Sequence, residues 1–191
     1  MNTLLKEYFA LNEEKDPSKW LGSTGKLVYS GNVLIDEINQ LNPAKVLDLG
    51  CGNNIFKDKV HNLIGIDIAN TKADYVMDFM DFECEDDSVD VILNLGALNF
   101  GTIDTIIEQF GWVHRKLKQN GTVFIRANSD IPPSELLNTI FFKWDTQTIV
   151  KLMLIYNFEL IDNKINLEIS PPKPGHAHGY KHRMVFKLRK L

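Results

Sequence analysis

Asp48, Asp67 and Asp78 each fall near the end of a short apolar run, in "VLDLG", "LIGIDI" and "YVMDF". A carboxylate accepts hydrogen bonds from hydroxyl and amino groups, and at the end of a buried strand it faces whatever binds there. Between the first two aspartates lies "GCGNN", in which Gly50 and Gly52 flank Cys51. Glycine tolerates positive φ and has no Cβ to hold a ligand away, so such a turn lets the backbone approach a bound group. Asp67 stands 15 residues beyond Gly52. An acidic residue at the end of the second strand is the usual acceptor for ribose hydroxyls, and one carboxylate can accept from both. Asp78 with Phe79 could take an amino group while the ring lies on a flat heterocycle. Any one of these residues alone also fits a solvated loop or a plain strand-to-helix turn. Three carboxylates at equivalent positions favour a binding site.

A second group lies near the end of the chain. "PPKPGHAHGYKHR" holds His176, His178 and His182, three of the five histidines, together with Tyr180. Histidine titrates near neutral pH, so His176, His178 or Tyr180 could contact a substrate or take a proton. A polar hairpin loop is the alternative. No Cys or carboxylate clusters with these histidines, so no metal site is expected. Lys173, Lys181 and Arg183 fit either an anionic substrate or a solvated rim.

These residues need elements to position them. Leu4, Leu5, Tyr8, Phe9 and Leu11 have helical spacing, as do Val33, Leu34, Ile38 and Leu41 up to the stop at Asn42-Pro43. Beyond Pro43, the runs "KVLDLG", "NLIGIDI", "DYVMDF", "VDVILNLG" and "GTVFIRA" follow one another without strict alternation, as in strands buried on both faces. Ile103–Leu117 and Asp145–Tyr156 have helical spacing, with Asp145 as N-cap. "FELIDNKINLEIS" and "HRMVFKLRK" read as two long strands joined by the Pro/Gly/His loop. The pattern predicts an α/β fold with a mostly parallel sheet and an antiparallel terminal hairpin. Ligands of such sheets bind beyond the carboxyl ends of the strands, where "GCGNN" sits.

From Val46 to Tyr156 this arrangement resembles the class I S-adenosylmethionine-dependent methyltransferases, particularly the small type 11-like members. "VLDLGCGNN" is similar to their first motif and "IGIDI" to their second. "ADYVMDFMDFECEDDSVDVILNLGALNF" is similar to the third and fourth. "VHRKLKQNGTVFIR" resembles the late helix, turn and fifth strand, and "WDTQTIVKLMLIYNFELI" the helix before strand six. The resemblance implies a Rossmann-like, seven-stranded fold and S-adenosylmethionine as cofactor, with S-adenosylhomocysteine as product. It implies that Gly50, Cys51 and Gly52 meet the methionine and ribose parts and that Asp48 orients the amino group. Asp67, followed by Ile68, would hold the ribose hydroxyls. Asp78 and Phe79 would take the adenine, and Asn94, Leu95 and Gly96 would face the methyl end. The acceptor of the methyl group is not specified; a small or anionic molecule is expected.

Two departures stand out. Asn54 occupies a position where the family usually has another Gly, and asparagine tolerates left-handed geometry better than most residues. The connection "NNIFKDKVHN" can hold only a helix of about two turns, and "ANTKAD" is too short for an ordinary crossover helix. Thin cover near strands two and three would leave apolar surface for a partner chain, so a homo-oligomer is compatible with the sequence.

Composition narrows the rest. At 191 residues the chain suits a single domain, 1–191, with residues 1–43 as an N-terminal helical segment able to form a lid and 44–191 as the sheet core. A net charge of -4 does not suit a general polyanion binder, and no DNA partner is expected. "NLGA" begins like the Asn-Pro-Pro-aromatic motif of amino-methylating DNA enzymes, but has neither proline nor the aromatic. No apolar run reaches the length of a membrane span, and residues 1–16 lack the apolar core of a signal peptide. Cys51 and Cys84 form no CxxC pair, so a cytoplasmic protein is expected. A nicotinamide dehydrogenase would want GxGxxG, whose third glycine is absent here. A non-catalytic protein on the same fold, binding S-adenosylmethionine or a partner, remains an alternative. Cys51 reads as a small packing residue, and His114 as a surface or packing residue on its helix.

Overall fold

The run "KVLDLG" forms strand β1 (Val46–Leu49), whose four residues are all buried. Both faces are covered, which is why its apolar residues do not alternate. The computed structural model describes Leu5 and residues 33–129, 141–170 and 181–191. Apart from Leu5, the expected N-terminal helix lies outside the described residues, as do His176, His178 and Tyr180. The other strands are β2 (Leu63–Asp67), β3 (Tyr75–Val76), β4 (Val89–Asn94), β5 (Leu117–Asn128), β6 (Phe158–Ser170) and β7 (Lys181–Lys190). They form one seven-stranded sheet in the order β3-β2-β1-β4-β5-β7-β6. The pairs β1–β2, β2–β3 and β4–β5 are parallel, whereas β5–β7 and β6–β7 are antiparallel. This is the α/β, Rossmann-like architecture with an antiparallel terminal hairpin that the sequence predicts. The chain divides into two compact units, residues 1–83 and 84–191.

In the first unit, helix α1 (Leu34–Gln40) ends as its sequence dictates. Asn42 takes φ 48°, its N–H donates to the Asn39 carbonyl, and Pro43 follows. Strands β1 and β2 run in register, Val46 beside Leu63 and Leu49 beside Ile66. The connection between them is not the two-turn helix that its length allows. Residues 52–59 form successive turns instead, and Asn54, Asp58 and Asn62 all adopt positive φ. A left-handed residue every four positions stops a helix from propagating. The β2–β3 connection has no helix either, as its length requires. Strand β3 is only two residues long and exposed.

In the second unit, helices α2 (Ile103–Lys116) and α3 (Thr146–Tyr156) begin at side-chain caps. Thr102 accepts from the Thr105 N–H while Thr105 accepts from the Thr102 N–H, and Asp145 accepts from the Thr148 N–H at 2.7 Å. Helix α2 buries Ile106, Phe110 and Val113 along one stripe. Trp144 and Phe186 pack beside Phe110 and Trp144 respectively, with Trp144 only 1% exposed. At Asn120-Gly121 the chain turns within β5, Asn120 having φ 63°, and the register with β4 shifts between Val89 and Val91. Gly121 is required there, because a Cβ would lie 2.8 Å from Leu117 Cγ.

Candidate functional site

The glycine loop is built by hydrogen bonds to the end of β2. Gly50 and Cys51 both donate N–H to the Ile66 carbonyl, at 2.8 and 3.1 Å. This turns the chain sharply after β1, and Gly50 and Gly52 supply the positive φ needed, 69° and 53°. Gly52 then donates its N–H to Asp67 Oδ2 at 2.8 Å. The acidic strand end and the glycine loop predicted from sequence are thus in direct contact. Among the described residues, a Cβ at Gly52 would meet no atom within 4 Å beyond its own chain neighbours.

Asp67 is more engaged than the sequence suggests. Its Oδ1 accepts the N–H groups of Ala69 and Asn70, at 3.0 and 2.9 Å, in addition to the Gly52 bond on Oδ2. A carboxylate offers about four acceptor positions. Three are in use, which leaves capacity for one ligand hydroxyl rather than two. Ile68 lies within the turn that Asp67 holds. Asp48 is buried within β1, opposite Gly65 of β2, one residue short of the strand end.

Asp78 lies two residues beyond β3. The Met77 N–H donates to the Asp67 carbonyl at 2.8 Å, so Asp78 follows directly on the residue that closes the β2–β3 pairing. Asp78 does not end the strand as such. It caps the short 3-10 helix Phe79–Asp81, accepting the Met80 N–H on Oδ1 at 2.9 Å. Phe79 is buried within that short helix. Cys51 is inert. Burial pushes its thiol far above the ordinary range, and the charges of Asp48, Asp67 and Asp74 push it further.

In the second unit, Asn94 ends β4 with its side chain 1% exposed. Its Oδ1 accepts the Leu98 N–H at 3.1 Å, while its buried Nδ2 has no hydrogen-bond partner among the described residues. A buried amide donor without a partner is costly, and it suits a site completed by a ligand or an ordered water. Arg126 donates to the Leu95 carbonyl from Nε and Nη2, at 3.1 and 2.7 Å. Gly96 takes φ 156°, and its carbonyl accepts from Asn99 Nδ2 at 3.0 Å. Asn99 Oδ1 accepts the Asn128 N–H at 2.8 Å, and Trp144 Nε1 donates to the Leu98 carbonyl at 2.8 Å. Residues 94–99 are therefore held rigidly to the end of β5. Sequence reasoning missed Asn99, Arg126 and Trp144. The repeated asparagine in "NLGALN" is the one local sign of such a stitched turn.

Strand β6 runs antiparallel to β7, which runs antiparallel to β5, so β6 points the same way as β5. Strand β6 ends at Ser170, beside Lys181 of β7, at the end of the sheet where β5 reaches Asn128; His176, His178 and Tyr180 lie outside the described residues. His114 is a packing residue, set edge-on to Phe158 and tilted against Tyr156.

No family model matches the chain, and no curated protein matches it. Solved structures do. The chain is similar to 1,6-didemethyltoxoflavin-N1-methyltransferase of Burkholderia thailandensis, solved with 1,6-didemethyltoxoflavin and S-adenosylhomocysteine bound. The TM-score is 0.71 at 16% identity, over 98% of this chain and 88% of that one. It is similar to magnesium protoporphyrin IX methyltransferase of Synechocystis, solved with S-adenosylmethionine bound, with TM-score 0.67 and 9% identity over 100% and 97% of the two chains. A S-adenosylmethionine-dependent methyltransferase structure from Methanosarcina mazei matches with TM-score 0.60 and 14% identity, over 86% and 98%. The fold of this chain is that of the class I S-adenosylmethionine-dependent methyltransferases.

Proposed function

We propose that the chain binds S-adenosylmethionine at its glycine loop and transfers the methyl group to a small-molecule acceptor. The reading is carried by the Asp67–Gly52 hydrogen bond, which joins a ribose-accepting carboxylate to a glycine turn, in a fold shared with structures that hold this cofactor. Gly50 to Gly52 would let backbone groups reach the methionine and ribose parts. Asp67 would take one ribose hydroxyl with its remaining acceptor position, and Asp78 the adenine amino group beside Phe79. Asp48 would orient the amino group of the methionine part. Asn94, Leu95 and Gly96 would face its methyl end, with Asn94 Nδ2 as an available donor.

The bound cofactor supplies a methyl group already activated on a sulfonium, for in-line displacement by an O, N or C nucleophile. The protein's contribution is to orient the reactants and exclude water. Where the acceptor must lose a proton, His176, His178 and Tyr180 are the candidates to take it.

Calorimetric titration with S-adenosylmethionine and S-adenosylhomocysteine tests the reading, with Asp67→Ala as the control. One-to-one binding is expected. The control removes a charge-assisted hydrogen bond as well as the brace on the loop, so it should weaken binding by about 10- to 150-fold, or roughly 1.5–3 kcal/mol. Failure of the wild-type protein to bind either compound refutes the reading. Methylated product in an acceptor screen separates an enzyme from a binding protein.

A further inference from the structure

The two shortened connections hold each other, and the residue that links them is the asparagine where the resembling family usually has glycine. Gly52 is fixed to Asp67 of β2. Asn53 Oδ1 accepts from Asn70 Nδ2 at 3.3 Å. Asn54 Nδ2 donates to the Lys72 carbonyl at 3.1 Å and reaches Asp74 Oδ2 at 3.5 Å. Three successive loop residues are thus pinned to successive points of the β2–β3 connection. Asp74 closes the far end. Its Oδ2 accepts the Gly65 N–H at 2.8 Å, its own N–H donates to the Gly65 carbonyl at 2.9 Å, and its Oδ1 accepts from Lys57 Nζ at 2.7 Å. Burial disfavours the charge on Asp74, but Lys57, the Gly65 N–H and Asn54 outweigh it and hold the carboxyl below its ordinary range.

The side chain of Asn54 lies directly over Gly65. A Cβ at Gly65 would stand 2.5 Å from Asn54 Oδ1, 2.8 Å from Cγ and 2.9 Å from Nδ2. Gly65 and Asp67 are two apart on one strand and so share a face of the sheet. The amide of Asn54 therefore rests on the same face from which Asp67 holds Gly52. Asn54 is buried, has φ 51°, and leaves Oδ1 without a hydrogen-bond partner among the described residues. An ordinary surface turn does not carry that cost; a glycine at this position would avoid it entirely.

We propose that Asn54, locked between Gly65 and Asp74, is a positioning residue for the glycine loop and replaces the crossover helix that this chain lacks. Its amide sets where Gly50–Gly52 stand relative to Asp67. Gly65 is the complementary half of the device, because only glycine leaves room for the amide. The inference rests on the proposed cofactor site for its functional consequence, but the loop geometry stands without it.

The test is a double-mutant cycle of Asn54→Gly, Gly65→Ala and N54G/G65A. Asn54→Gly keeps the left-handed backbone accessible and removes only the side chain. Two readouts are used: the Kd for S-adenosylhomocysteine, and amide hydrogen exchange across residues 50–54 in the free protein. Gly65→Ala should drive the amide out, speed exchange in the loop and weaken S-adenosylhomocysteine at least about tenfold. Asn54→Gly should speed exchange and weaken binding by a smaller factor. In the Asn54→Gly background, Gly65→Ala should have a much smaller effect, because the three nearest atoms it strikes are gone. Equal effects of Gly65→Ala in both backgrounds, or unchanged exchange in either single variant, overturn the proposal. If the wild-type protein binds no S-adenosylhomocysteine, the cofactor reading fails, and the exchange cycle still decides the role of Asn54.

Discussion

Lys190 is a buried cation whose replacement should reveal how the second unit is closed. Its Nζ donates to Asp87 Oδ1 at 2.6 Å, to the His114 carbonyl at 2.8 Å and to the Leu117 carbonyl at 2.9 Å. The two carbonyls belong to the end of α2 and to the residue that follows it. The ammonium thus satisfies acceptors that a helix end leaves open and sits where the helix dipole is negative. Lys190→Met keeps most of the apolar stem and removes all three bonds. The Asp87 carboxylate is 65% exposed, so its share is under about 1 kcal/mol. The two carbonyl bonds, charge-assisted and sheltered, are worth about 1.5 kcal/mol or more each, and part of that is returned because no ammonium need be desolvated. A net loss of about 3 kcal/mol follows, or roughly 6–12 °C in Tm for a chain of this size. Asp87→Asn should cost under about 1 kcal/mol. Urea and thermal melts followed by circular dichroism measure both. A Lys190→Met variant within about 0.5 kcal/mol of wild type would refute the reasoning, against the 1.5–3 kcal/mol usual for bonds to a charged group. Equal losses in the two variants would do the same, by assigning the whole effect to the exposed ion pair.

Gly111 lies where α2 meets α3, and a Cβ there would come within 2.9 Å of the Tyr156 hydroxyl, which donates to the Ile107 carbonyl at 2.7 Å. Gly111→Ala should therefore destabilise by about 1–3 kcal/mol despite the higher helix propensity of alanine, and in a Tyr156→Phe background, which removes the nearest atom, the same change should cost less in thermal melts. His114 is held below its ordinary value of 6.5, first by burial and then by the Lys190 charge, with Asp87 opposing. The folded state thus binds its proton less readily than the unfolded state. The stabilisation is complete above the ordinary histidine value and is lost as pH falls through the folded one. Urea melts between pH 7 and pH 5 should show a decline that His114→Phe flattens; a decline unchanged in the variant would assign it to other groups.

Much of the fold was legible because it rests on local rules. The burial of β1 on both faces follows from "VLDL", the starts of α2 and α3 from Thr102 and Asp145, and the end of α1 from Asn42-Pro43. The glycine turn was legible for the same reason, since Gly50 and Gly52 had to take positive φ for the chain to leave β1. The crossover after β1 was less so. Its length allows a short helix, and the left-handed residues Asn54, Asp58 and Asn62 do not announce their φ in a sequence pattern.

The sequence by itself determined that Asp67 and Asn94 stand at strand ends and that the sheet is α/β with an antiparallel hairpin. It could not determine how much of each site residue remains available to a ligand. Only the tertiary structure decided that Asp67 already accepts three backbone N–H groups, that Asn94 keeps an unpartnered buried donor, and that Asn54 fits against Gly65. Only it brought Lys190 to Asp87, 103 residues away. The physical reason is one of range. Caps, turns and periodicity are set by neighbours within about one helical turn, whereas hydrogen-bonding capacity and steric room depend on which distant segments pack together.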